Sequence, residues 1–179
     1  MNKKTIKFKS ADIINIRKNL DTEITKGWHT IRHENIMTTK EIKANLGSGK
    51  DLKTLYNSIR QMQQKRIKIK ALLMYLNLGI TTFDYEAFKA TNNYAIFAAT
   101  EAKEAITQLK MIPTINPTAK SKQTKSANGK KEIFTSAKIA SLIKELQLEA
   151  NKYDAAMENF NNNTEIEIAD SDFITDITS

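Results

Sequence analysis

From Leu52 to Leu78 the chain runs without a glycine, a proline or an acid, and its apolar residues fall on a heptad. Leu52, Leu55, Ile59, Met62, Arg66, Ile69, Leu73 and Leu76 alternate steps of three and four. With Leu52 at position a, the a set is Leu52, Ile59, Arg66 and Leu73, and the d set is Leu55, Met62, Ile69 and Leu76. Nearly four heptads with one violation predict a single helix of about 27 residues, about 40 Å long, with a packing seam of the coiled-coil type. Asp51 supplies an N-cap and Gly79 a stop. A helix of that length needs partner helices along it, so the fold class is all-α: a helical bundle with one long heptad-patterned helix. The spacing leaves open whether the seam meets this chain or another.

Arg66 is the violation, and Lys70 lies one turn further on. An unpaired guanidinium buried in an apolar seam costs several kcal/mol, more than one apolar side chain contributes there. Arg66 must therefore meet an acid, water, or an anion carried by a partner. Away from the seam, Lys53, Arg60, Lys65 and Lys68 share an arc of about 140°. With Arg66 and Lys70 they form the candidate nucleic-acid-binding set, since such a face can track a phosphate backbone. A solvated lysine face is the plainer alternative.

The rest of the chain reads as shorter helices. Ser10 can cap a helix over about residues 11–26 along Ile13, Ile16, Leu20 and Ile24, with Gly27 as its stop. Thr38 and Glu41 suit a capping box for a short helix ending near Leu46. A helical turn is expected from Phe83 to Ala90 after Thr81 or Thr82, then a helix from Asn92 or Asn93 to Ile112, stopped by Pro113. The latter's small-residue seam, Ala95, Ala98, Ala102, Ala105, Leu109 and Ile112, lets two backbones approach closely. Residues 114–132 form a lysine-bearing linker with Lys120, Lys122, Lys125, Lys130 and Lys131. A final helix follows from Thr135 or Ser136 to about Phe160, with Ile139, Leu142, Leu146, Tyr153, Met157 and Phe160 on its stripe.

The resulting domain plan is a basic N-terminal segment (1–10), a main helical domain (11–113), a basic linker (114–132), a C-terminal helix (133–163) and an acidic tail (164–179). The net charge of +8 is unevenly divided: the first fifty residues are strongly basic, and the tail holds five acids and no base. Alternation in Lys3–Lys9 and Thr164–Ile168 would let the two ends pair as short strands, although an isolated pair is marginal.

Chemistry-bearing motifs are scarce. Gly47-Ser48-Gly49-Lys50-Asp51 resembles a phosphate-binding loop only superficially. Ala44 stands where the first glycine is required, and Asp51 replaces the magnesium-binding hydroxyl. His29 and His33, the two histidines, have helical i,i+4 spacing, yet neither cysteine nor a further histidine exists to complete a metal site. A packing Trp28 beside a partly exposed pair is the expected arrangement. No nucleophile triad is evident, no cofactor or metal is implied, and no small-molecule substrate is expected.

With no cysteine, no apolar run long enough for a membrane span and no apolar stretch behind the basic N-terminus, the natural setting is intracellular. These features suggest a non-enzymatic interaction or assembly protein, self-associating or docking on a protein partner or nucleoprotein complex. Its compact size and two detachable charged segments would suit a phage or mobile-element accessory or virion protein in the host cytoplasm or the particle. The alternatives are a backbone-directed nucleic-acid-binding protein using the basic arc, and a small inhibitor of a host nuclease or defence complex.

Overall fold

A computed structural model describes residues 7–38, 51–115 and 130–167. The element order is α1 (Ser10–Glu34), β1 (Ile36–Thr38), α2 (Leu52–Asn77), α3 (Tyr85–Lys89), α4 (Asn92–Lys110), β2 (Lys130–Glu132) and α5 (Ser136–Asn163). The four long helices run up, down, up and down, which makes the fold an all-α helical bundle. Two antiparallel pairs, α1 with α2 and α4 with α5, hold the most extensive contacts, and α2 against α4 joins the pairs.

Local chemistry accounts for most helix ends. The Asp51 carboxylate accepts from Lys53 N and from the Thr54 hydroxyl at the start of α2, and both bonds hold its pKa below the usual value. Asp84, Thr91 and Thr135 cap α3, α4 and α5 in the same way. Gly79, with φ of +74°, follows the last turn of α2 in the left-handed region that glycine tolerates best.

The first helix departs from expectation. It starts after Lys9 rather than Ser10 and passes straight through Gly27 to Glu34. Gly27 is a packing residue, not a stop: a Cβ there would lie 2.8 Å from Cγ1 and Cδ1 of Ile59 on α2. The close approach of α1 and α2 outweighs the helix-breaking tendency of one glycine.

Two apolar clusters make up the interior. One joins Trp28 and Ile31 of α1, Leu52, Tyr56 and Ile59 of α2, Leu109 of α4 and Leu142 and Leu146 of α5, with Phe134 sealing its end. Each such large side chain contributes about 1.5–3 kcal/mol when fully buried. The other gathers Ile67, Ala71, Phe88 and Ala98, ringed by partly buried tyrosines and phenylalanines. The small seam of α4 is buried throughout, from Ala95 to Ile112, as its spacing requires. The helix beyond the lysine linker is thus the fourth member of one bundle, sharing its core.

Both long connections leave the same end of the bundle, where β1 and β2 pair antiparallel, Ile36 opposite Glu132 and Thr38 opposite Lys130. Asn35, wholly buried, locks this end. Its Nδ2 donates to Pro113 O (2.8 Å) and Phe134 O (3.0 Å), and its Oδ1 accepts from Phe134 N (2.7 Å). Strand pairing therefore occurs between the connections. Lys7–Lys9 and Thr164–Glu167 belong to no strand, and the rest of each alternating end lies outside the described residues. The expected short helix to Leu46 and the glycine-rich string before Asp51 also lie outside them, as do residues 116–129.

Candidate interaction surface

Arg66 meets carboxylates of two other helices of this chain. Its Nε donates to Glu101 Oε1 (2.9 Å) and its Nη1 to Asp21 Oδ1 (3.0 Å), while Nη2 reaches both Glu101 and Glu104. Lys70 joins the same carboxylate, Nζ to Glu101 Oε1 at 2.9 Å, and Arg17 stands 3.7 Å from Asp21. Three cations thus face three carboxylates between the two apolar clusters. Burial alone disfavours the Arg66 charge. Hydrogen bonds and attraction from Glu101, then from Asp21 and Glu104, outweigh it and hold the guanidinium pKa above its usual value. The anion that Arg66 requires comes from this chain, so the seam at that level is ordinary core.

The same geometry redistributes the basic arc. Arg60 donates to Glu149 Oε2 (2.9 Å) and to Gln63 Oε1 (2.8 Å), and Gln63 in turn reaches the Glu101 carbonyl. Arg60, Arg66 and Lys70 are therefore paired with carboxylates of this chain. Lys53, Lys65 and Lys68 remain exposed, with Lys68 Nζ 4.9 Å above the Tyr85 ring. What brings Glu101 inward is its place on α4, three residues after Ala98 and four before Ala105, at the edge of the small seam. That signal stands in the sequence; the partnership across two helices does not.

The heptad seam also divides. Leu52 and Ile59 are fully buried within this chain, and Leu55 and Met62 pack against the same cluster, so none of the four forms a free docking face. Beyond Arg66 the buried stripe drifts to Ile67 and Ala71. A straight helix of 3.6 residues per turn turns about 20° per heptad away from a strict seven-residue pattern. Ile69, Leu73 and Leu76 are left partly buried outside both core clusters, with Leu72 beside them. Leu78 and Ile80 continue this apolar run into solvent, 67% and 41% exposed. Asp21 opposite Arg66 fixes the antiparallel register, which sets Ile14 of α1, also exposed, at the level of Leu73.

His29 and His33 stack on the exposed side of α1 with ring centroids 4.1 Å apart. Among the described residues no three His, Asp or Glu side chains gather as a metal site would require, and no helix is long and apolar enough to cross a membrane. No protein-family model matches this sequence, and neither curated proteins nor solved structures give a significant match.

Proposed function

We propose that this chain is a non-enzymatic helical interaction protein that self-associates through the far half of α2 and the facing start of α1. One observation carries the reading. Ile69, Leu73 and Leu76 keep the d-a-d heptad spacing after the internal stripe has turned away from it. Within the chain these three stay partly exposed and join neither core cluster, and a helix with the same repeat fits the face they leave open. A second copy presents the same spacing, and a two-fold pairing lets one patch serve both sides. Assembly of this kind is compatible with an accessory or virion component.

Sedimentation of the full chain over a wide concentration range tests the proposal. A reversible dimer is expected, and Leu73→Asp or Leu76→Asp abolishes it while the far-ultraviolet circular dichroism stays unchanged. A chain that remains monomeric at millimolar concentration overturns the proposal.

A second reading keeps one supporting observation: α2 contains no acid along its length, and Lys53, Lys65 and Lys68 point to solvent. Backbone-directed nucleic-acid binding would use these three. Retention on nucleic acid at low salt should then vanish in a Lys53→Glu, Lys65→Glu double variant; undiminished retention rejects this reading.

A further inference from the structure

At the end of the bundle away from the β1–β2 clip, α3, the start of α4 and the last turns of α5 border a groove of about 590 Å³. This volume falls within the range of small-molecule sites. Tyr94, Tyr153 and Phe160 give it aromatic surface, and Lys89 and Lys152 give it positive charge. Among the described residues no aspartate or glutamate lines it.

Two features ask for two different ligand groups. Lys152 is exposed and forms no ion pair among the described residues, whereas Lys89 shares its charge with Glu86. An anion is therefore wanted chiefly at Lys152. Phe160 is 44% exposed and joins neither apolar cluster, so its ring offers an open face beside Tyr153.

An anionic group and a flat ring are combined in a nucleotide. We propose that the groove binds a mononucleotide, with its phosphate at Lys152 and Lys89 and its base against Phe160 and Tyr153. Aromatic rings favour such a base by offset or edge contacts, and the lysines supply compact point charges for the phosphate. None of the residues that line this groove belongs to the Ile69–Leu76 patch, and the site does not rest on self-association.

Calorimetric titration of the full chain with adenosine monophosphate tests the site, with adenosine and inorganic phosphate as separate arms. Saturable one-to-one binding is expected, with adenosine and phosphate each at least about tenfold weaker, a step of about 1.4 kcal/mol. Lys152→Ala and Phe160→Ala alter exposed side chains and leave the core intact; each should weaken binding about tenfold. No saturation at millimolar nucleotide overturns the proposal. So does phosphate binding as tightly as the nucleotide, which would mean an adventitious ion only. Unchanged affinity in both Lys152→Ala and Phe160→Ala overturns it as well, by placing the nucleotide elsewhere.

Discussion

Arg66 on α2 and Glu101 on α4 meet through two hydrogen bonds at the centre of the bundle, where Glu101 is 1% and Arg66 7% exposed. Taking both charges out of water is costly, and the pair is tolerated because Lys70, Asp21 and Glu104 complete its hydrogen bonding. Truncating one partner strands the other. Glu101→Ala should therefore destabilise the fold by about 3–5 kcal/mol in urea denaturation, while the double variant Arg66→Met, Glu101→Leu should lose far less. Equal losses in the single and double variants would show that packing volume, not charge, is what matters at this site.

The Asn35 side chain makes three hydrogen bonds to the backbone of Pro113 and Phe134. Asn35→Ala leaves those groups unpaired in a buried place and should cost about 3 kcal/mol. Thermal denaturation gives the loss, and amide exchange should show Ile133 and Phe134 losing protection first.

Gly27 tolerates no side chain without movement of Ile59. Alanine gains up to about 1 kcal/mol of helix propensity, but overpacking a buried isoleucine costs about 1–3 kcal/mol. A net loss is expected from Gly27→Ala. Ile59→Val removes Cδ1, one of the two Ile59 atoms that would lie 2.8 Å from the new methyl, so it should cost less in the Gly27→Ala background than in the native chain. A double-mutant cycle measures that coupling.

Burial, then the hydrogen bond with Tyr94, pushes the Tyr153 hydroxyl up to about 12 from an ordinary value near 10. The folded state thus holds this proton more tightly than the unfolded chain. The stability it contributes is fully present below pH 10 and is lost as pH rises towards 12. Denaturation midpoints should fall across that window, and Tyr153→Phe should flatten the fall. Burial also raises Tyr56 and Tyr85, so part of the slope remains in the variant.

Helix positions, most caps and the buried face of α4 were legible in the sequence because they depend on neighbours three or four residues away. The Ala95–Ile112 seam and the Asp51 and Gly79 boundaries depend on such local terms. Gly27 misled because its role depends on Ile59, thirty-two positions further along the chain, and not on its own propensity. Asn35 gave no local signal either, since its partners come from the other long connection.

The sequence by itself determined that this is a chain of amphipathic helices with one acid-free heptad segment, because periodicity and capping are local. Only the tertiary structure decided which groups that segment meets. It turned Arg60, Arg66 and Lys70 inward onto Glu149 and Glu101, buried Leu52 and Ile59, and left Ile69, Leu73 and Leu76 only partly buried. The physical reason is that a heptad repeat and a straight helix diverge, and packed helices follow the helix.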